Sequence, residues 1–166
     1  MIRTAILTVS DRGAAGERED TTVEEIRKVL ATGTFVEVDY QLVPDEQALI
    51  RARLRIWCDA EEVDLILTNG GTGLGLRDRT PEATRDVVER EIPGIAEAMR
   101  AHGAKHKSLA YLSRALAGVR RNTVVVNLPG SPAGARQSLE AVKDILGHAV
   151  DQVRGSKGAA TGQWHN

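Results

Sequence analysis

Four glycines fall within the six-residue segment Gly70–Gly75, directly after an apolar run and just before an Arg-Asp-Arg triplet centred on Asp78. Glycines leave consecutive backbone N–H groups open to an approaching anion, because no Cβ atoms obstruct it. The helix start that follows at Thr80 would add a favourable potential for negative charge. From these residues alone, phosphate binding and a tight structural turn are equally well supported.

The two best-known glycine-rich phosphate motifs are both missing from this segment. The dinucleotide-binding fingerprint requires a glycine three residues after Gly73, where this chain has Leu76. The P-loop motif requires a Gly-Lys-Ser or Gly-Lys-Thr triplet, which does not follow the glycines. These differences argue against an ordinary dinucleotide-binding or P-loop protein.

Two aspartates are the candidate catalytic and metal-binding residues. Asp78, between two arginines, could be a solvated ion-pair residue, and Asp45 in the segment LVPDE could cap the helix that follows it. Taken together with a phosphate-binding loop, however, two carboxylates favour Mg²⁺, which binds one or two carboxylates plus substrate phosphates. The sequence therefore predicts a magnesium site formed by Asp45 and Asp78.

Four strands are expected to position these residues. The apolar runs Thr4–Ser10, Val63–Asn69 and Thr123–Gly130 predict buried parallel strands, and the alternating run Phe35–Val43 predicts a strand near an edge. Ligands of parallel sheets bind at the carboxyl ends of the strands. The loops VSDRG, TNGGTG and NLPGSP are therefore expected to meet at one site.

Helices are expected between the strands, and their apolar stripes indicate which faces are buried. The alternation of strands and helices predicts an α/β fold, a single three-layer domain over residues 1–154 with a mostly parallel sheet and helices on both faces. Residues 155–166 are expected to form a mobile tail. Helices should begin near Thr21, near Asp45 or Glu46, after Thr80 as N-cap, at Pro93 and at Ala133. The stripes are Ile50, Leu54, Trp57 and Cys58 in the second helix, Ile95 and Met99 in the fourth, and Leu139, Val142, Leu146, Ala149 and Val153 in the last.

The composition narrows the function classes. Lys+Arg 22 against Asp+Glu 23 leaves no general basic field for nucleic acid, and 3% aromatic residues argue against base-stacking surfaces. The chain shows no signal-peptide or membrane-span pattern, so a cytoplasmic protein without membrane contact is expected. Cys58 is expected to pack as a small apolar residue, and His102 and His106 lack the further ligands of a zinc site.

Considered together, these segments resemble the molybdenum-cofactor biosynthesis family that contains the MogA/MoaB-type proteins, including the bacterial molybdopterin adenylyltransferases. The resemblance is carried, in the family's order, by TVSDRGAAGEREDTT, LVPDE, LTNGGTGLGLRDRTPEAT, EIPGIAEAMR, LSRALAGVR and VVNLPGSP. It extends from about residue 4 to residue 154. It implies transfer of AMP from ATP to the terminal phosphate of molybdopterin, Mg²⁺ dependence, a homotrimer, and delivery of the product to the enzyme that inserts molybdate.

The resemblance also assigns roles to residues of this chain. Asp45 and Asp78 match the family's essential aspartates, and both are expected to hold the metal. The chain departs from the family's pattern at Asn69 and at Lys107-Ser108, beside the expected pocket. The residues expected to bind nucleotide or pterin are Ser10, Asp11, Asn69, Gly70, Gly71, Thr72, Gly73, Ser113, Arg114, Leu128, Pro129, Gly130, Ser131 and Pro132.

Two other functions remain open from the sequence. One is a non-catalytic pterin-binding or scaffold protein with the same fold, since a fold does not determine a function. The other is an unrelated nucleotide-binding α/β protein. The presence of both aspartates favours catalysis over a scaffold, and the missing nucleotide motifs argue against the unrelated protein.

Overall fold

A six-stranded, mostly parallel sheet forms the centre of the molecule in the computed structural model, which describes residues 1–155. The order across the sheet is β2-β1-β3-β6-β5-β4. β1, β2, β3 and β6 run parallel, and β5 and β4 complete one side as antiparallel strands. The strands are β1 (Ile2–Val9), β2 (Phe35–Val43), β3 (Leu65–Asn69), β4 (Arg90–Glu91), β5 (Ala117–Arg120) and β6 (Thr123–Leu128).

Helices cover both faces, which confirms the predicted α/β fold. The helices are α1 (Asp11–Ala14), α2 (Thr22–Leu30), α3 (Gln47–Asp59), α4 (Thr80–Val87), α5 (Pro93–Ala104) and α6 (Pro132–Gly155), with a 3-10 helix at Ser108–Leu112. α2, α5 and α6 pack on one face around a large apolar core, and α3 and α4 pack on the other. Within residues 1–155, no helix has the length and apolar character needed to cross a membrane.

The predicted helix stripes are the buried ones. All four apolar side chains of the α3 stripe are buried, Cys58 among them, and burial raises the pKa of its thiol to about 12. In α5, Ile95 and Met99 are buried as expected. In α6, Leu139, Val142 and Leu146 are fully buried and Ala149 and Val153 pack against the core, joined by Val150, which the predicted stripe omitted.

β2 is the edge strand that the sequence predicted, but its alternation is interrupted. Thr4 pairs with Glu37 and the next residue, Ala5, pairs with Asp39, so Val38 bulges out of the ladder and is 47% exposed. The extra residue places Phe35 and Tyr40 against the same core, although a regular strand would place them on opposite faces.

Several predicted boundaries need correction. The second helix begins at Gln47 with Glu46 as N-cap, so Asp45 lies before the helix and does not cap it. Thr80 is the first residue of α4 and Arg79 is its N-cap, whereas Thr80 was the expected N-cap. β4, β5 and the short α1 were not predicted. The expected mobile tail falls outside the described residues, except for Gly155, which ends α6.

An ion-pair cluster around the buried Asp64 lies at the edge of the sheet opposite the strand-end loops. The Asp64 carboxylate, 3% exposed, accepts hydrogen bonds from the Arg3 backbone N–H at 2.8 Å and from the Arg3 and Arg154 guanidinium groups. Burial alone would raise the pKa of Asp64, but these bonds hold it well below its ordinary value. The cluster ties the first strand to the last helix.

Candidate active site

The carboxyl ends of three neighbouring strands meet at one edge of the sheet. Thr8 of β1 pairs with Asn69 of β3, and Asn69 pairs with Leu128 of β6. The loops that follow these strands border a cleft of about 480 Å³, as the rule for parallel sheets predicts. Of the predicted site residues, those lining this cleft are Ser10, Asp11, Asp45, Asn69, Gly70, Gly71, Asp78, Gly130 and Ser131.

Gly70 and Gly71 have to be glycines because of their backbone conformation and their neighbours. Both have positive φ, 96° and 68°. A Cβ on Gly70 would lie 2.2 Å from the carbonyl oxygen of Val9, and one on Gly71 would lie 2.3 Å from Oγ1 of Thr80. No side chain fits at either position, so part of the glycine content reflects close packing.

The rest of the glycine loop encloses the Asp78 carboxylate. The Gly75 N–H donates to Asp78 Oδ2 at 2.9 Å, and the Asp78 N–H donates to the Gly75 carbonyl at 3.0 Å. A Cβ on Gly73 or Gly75 would come within 3.0 Å and 2.9 Å of the same carboxylate oxygen. The loop therefore holds the Asp78 carboxylate in place. The sequence had suggested either phosphate binding or a tight structural turn for these glycines.

Asp45 is held against Asp11 by a reciprocal pair of hydrogen bonds. The Asp11 N–H donates to Asp45 Oδ2 at 2.8 Å, and the Asp45 N–H donates to Asp11 Oδ1 at 3.0 Å. The Arg77 guanidinium donates two further bonds to Asp11 and, as the largest influence, lowers the pKa of that carboxyl. Burial, followed by the charges of Asp11 and Asp78, raises the pKa of Asp45.

Asp20, which lines the cleft beside Glu19, is a further carboxylate that was not predicted from the sequence. It accepts hydrogen bonds from the Thr8 hydroxyl at 2.5 Å, the Tyr40 hydroxyl at 2.6 Å and the Val23 N–H at 3.1 Å. Burial and then Asp20 raise the pKa of Tyr40 to about 12. Asn69 donates to the Thr8 hydroxyl at 3.0 Å and is only 1% exposed, so its amide nitrogen belongs to this buried network.

The LPGSP segment divides between the core and the site. Leu128 is fully buried in the core, so its side chain does not line the pocket as expected, and its carbonyl accepts from the Gly70 N–H at 3.2 Å. Ser131 lines the cleft while its hydroxyl accepts from the Gly134 N–H in the first turn of α6 at 3.1 Å. Pro132 is the first residue of α6 and lines neither the cleft nor the cavity beside it.

A second cavity of about 420 Å³ adjoins the first, since Ser131 lines both. Its walls are partly apolar, with Met99 and Leu109, and carry the basic side chains of Arg100 and Lys107. The predicted residues Ser113, Pro129 and Ser131 line it. The site is thus larger than the glycine loop alone and has two connected parts.

Arg114 does not line either cavity, in contrast to the expected ligand contact. Its guanidinium Nε donates to the Gly73 carbonyl at 2.8 Å and its Nη2 donates to the Asp78 carbonyl at 2.8 Å, while Nη1 pairs with the Glu82 carboxylate. Its backbone N–H donates to the carbonyl of Thr72, a residue that is itself buried. Thr72, Gly73 and Arg114 therefore form a hydrogen-bonded support behind the cleft.

Comparison with known proteins places this site in a family. A family profile described as "probable molybdopterin binding domain" matches residues 5–148. The chain belongs to the molybdopterin-binding domain family. It is 40% identical over 157 residues to the molybdopterin adenylyltransferase of Helicobacter pylori J99, covering 93% of this chain and 89% of the relative.

Further relatives agree with this placement of the molybdopterin-binding domain. The Escherichia coli K12 molybdopterin adenylyltransferase is 37% identical over 151 residues, covering 90% of this chain and 77% of the relative. The crystal structure of the molybdopterin biosynthesis enzyme MoaB from Thermus thermophilus superposes on this chain with a TM-score of 0.89 and 59% sequence identity. The match covers 93% of this chain and 98% of that one.

The carboxylates of this molybdopterin-binding domain suit a hard cation. Asp45 and Asp78 each use one oxygen for a backbone N–H and line the same cleft with the other still available. Within residues 1–155, no group of three or more His, Cys, Asp or Glu side chains could hold a metal by itself. Two carboxylates without further protein ligands fit Mg²⁺, which takes its remaining ligands from water and phosphate.

Proposed function

We propose that this protein is a molybdopterin adenylyltransferase, which transfers AMP from ATP to the terminal phosphate of molybdopterin and releases pyrophosphate. The observation that carries the proposal is the meeting of Asp45 and Asp78, from distant segments, in a strand-end cleft whose glycine loop is closed around one of them. The curated relatives with this activity in their names support it.

The chemistry needs little from acid–base side chains. An oxygen of the molybdopterin phosphate attacks the α-phosphorus of ATP, the bond between the α-phosphorus and the bridging oxygen breaks, and pyrophosphate leaves with that electron pair. The attacking oxygen is already anionic, so no side chain has to remove a proton from it. The task of the protein is to hold two anionic groups in line.

The charge of the cleft explains why a cation belongs in the proposal. The carboxylate residues Asp11, Glu19, Asp20, Asp45 and Asp78 line it, with Arg12 and Arg18 as the basic residues there. Asp45 and Asp78 are the proposed Mg²⁺ ligands. When bound, Mg²⁺ would neutralise phosphate charge and stabilise the charge that develops on transfer.

The proposed substrates divide over the two connected cavities. Phosphates would lie over Asp45 and Asp78, close to the backbone of Gly70, Gly71 and Gly130. Ser10 and Asp11 would contact the same ligands from the end of β1. The shared residue Ser131 allows one extended ligand to reach into the second cavity, where Ser113 and Pro129 lie.

The proposal includes a cytoplasmic homotrimer that hands its adenylylated product to the enzyme that inserts molybdate. Large apolar side chains on the glycine loop and on the 3-10 helix are exposed, which supports contact with another protein chain. Light scattering measures the oligomeric state, and a monomeric mass would contradict the trimer. The exposed residues are Leu74, Leu76, Leu109, Tyr111 and Leu112.

Product analysis tests the proposed activity. The protein is incubated with molybdopterin, ATP and Mg²⁺, and mass spectrometry follows the adenylylated pterin and pyrophosphate. We expect both products in equal amounts, and none when NAD replaces ATP. Pterin binding without transfer would instead indicate the non-catalytic scaffold, which the presence of both Asp45 and Asp78 argues against.

A further inference from the structure

The contacts of Arg114 all go to one short segment of the chain. Its backbone N–H donates to the Thr72 carbonyl at 2.9 Å. Its guanidinium donates to the carbonyls of Gly73 and Asp78, both at 2.8 Å, and pairs with the Glu82 carboxylate. One side chain thus connects the two ends of the glycine loop to the first turn of α4.

Within one subunit, hydrophobic burial contributes little to holding this loop. The two apolar side chains between its ends, Leu74 and Leu76, are 67% and 98% exposed. The order of the loop therefore depends mainly on its polar contacts, which include those of Arg114, the internal bonds between Gly75 and Asp78, and the ion pair of Arg77 with Asp11. Without Arg114, the ends at Gly73 and Asp78 would lose their shared donor.

Arg114 is itself held in place from both sides. Arg100 of α5 donates to the carbonyl of Ser113 at 3.2 Å and to that of Ala115 at 2.9 Å, the two neighbours of Arg114 in the chain. On the other side, burial is the largest single influence on the pKa of Glu82 and acts to raise it, but the hydrogen bond and charge of Arg114, together with a backbone hydrogen bond, outweigh burial and lower the pKa, so Glu82 is a charged partner. The guanidinium is therefore fixed before any ligand binds.

We infer that Arg114 is a positioning residue that sets the place of the Asp78 carboxylate through the main chain of the glycine loop and does not itself contact the substrates. The inference rests on the proposed function for its catalytic consequence. Lysine would not replace it, because a single ammonium group lacks the planar fork that reaches two carbonyls and a carboxylate together.

Hydrogen exchange and kinetics of matched variants test this role. Arg114→Ala removes the connection, Arg114→Lys keeps the charge, and Arg79→Ala is the control. Arg79 is exposed and lies next to Asp78 in the chain, and within residues 1–155 its guanidinium hydrogen-bonds only to the Gln47 side chain. The control thus removes the same charge near the cleft without releasing the loop.

Losing several charge-assisted hydrogen bonds should make the hydrogen-bonded amides of Gly75 and Asp78 exchange about tenfold faster or more in Arg114→Ala. Arg114→Lys should be intermediate, and Arg79→Ala should match the wild type. A misplaced Asp78 should lower kcat by about a hundredfold while the KM values for ATP and molybdopterin change little.

The outcomes separate this inference from the proposed function. If the wild type transfers no AMP, the proposed function fails, while the exchange rates still decide whether Arg114 orders the loop. Unchanged exchange at Gly75 and Asp78 would overturn the positioning role, and a raised KM with kcat retained would overturn it and indicate a substrate contact. If Arg114→Ala does not fold, Arg114→Lys decides by the same readouts.

Discussion

Replacing Gly71 by alanine tests whether the glycine loop must approach Thr80 and Asp45 closely, as the structure indicates. The new Cβ would lie 2.3 Å from Oγ1 of Thr80 and 3.2 Å from Oδ1 of Asp45. Thr80 is fully buried, so its hydroxyl has little room to move. We expect the substitution to displace the Asp45 carboxylate and destabilise the fold.

The magnitude follows from two separate costs. A non-glycine residue at positive φ costs about 1–2 kcal/mol. Forcing a methyl group into a packed site costs about 1–3 kcal/mol more. Gly16 provides the matched control, because it also has positive φ, 73°, but a Cβ there would meet nothing within 4 Å. Gly16→Ala should therefore carry the first cost only.

Thermal unfolding and single-turnover AMP transfer measure the two effects. At about 2–4 °C per kcal/mol for a domain of this size, Gly71→Ala should lower Tm clearly more than Gly16→Ala does. Transfer should fall by about tenfold or more in Gly71→Ala, because a small displacement at the reacting centre is costly, and stay at the wild-type rate in Gly16→Ala. Equal Tm values and equal rates for the two variants would refute this account of the loop.

Two further predictions concern carboxylates whose pKa values are shifted in the fold. Asp64→Asn should lower the free energy of unfolding by about 2 kcal/mol at neutral pH, because a buried carboxylate loses its hydrogen bonds from two partly exposed guanidinium groups, measured by urea denaturation. Because the pKa of Asp64 is lowered in the fold, its contribution is present above the ordinary aspartate pKa, and the difference from wild type should shrink as the pH falls below it; a pH-independent difference would contradict the cluster. For the second prediction, Mn²⁺ replaces Mg²⁺ as a metal that electron paramagnetic resonance can detect. Since the pKa of Asp45 is raised, Mn²⁺ affinity should begin to weaken at a pH above the ordinary aspartate pKa as the solution is acidified. Affinity that is constant down to the ordinary aspartate pKa would remove Asp45 from the metal site.

The long elements could be predicted from the sequence because each one buries a periodic face. The stripe from Ile50 to Cys58 and the apolar runs of β1, β3 and β6 are repeated local signals. The two strands that were missed, Arg90–Glu91 and Ala117–Arg120, are short, and they form by pairing with each other and with β6. Tertiary pairing defines them, and no local pattern does.

The functional site could also be predicted only in part from the sequence. The rule for parallel sheets was enough to bring the loops after Val9, Asn69 and Leu128 to one edge. This rule could not predict the side-chain partners, because they are distant in the sequence. Arg114 contacts a carbonyl 36 positions earlier in the chain, and Tyr40 contacts Asp20. The position of Asp20, two residues before α2, was a helix-cap signal that could have been noticed.

The most direct test of the central claim is single-turnover AMP transfer by Asp78→Asn at saturating Mg²⁺, ATP and molybdopterin. Asp86→Asn is the matched control, since Asp86 is an exposed residue of α4 that contacts Gln47 and Arg51. We expect Asp78→Asn to lose about a thousandfold in rate while it remains folded and binds the pterin, and Asp86→Asn to match the wild type. A near-normal rate for Asp78→Asn would contradict the assignment of the active site.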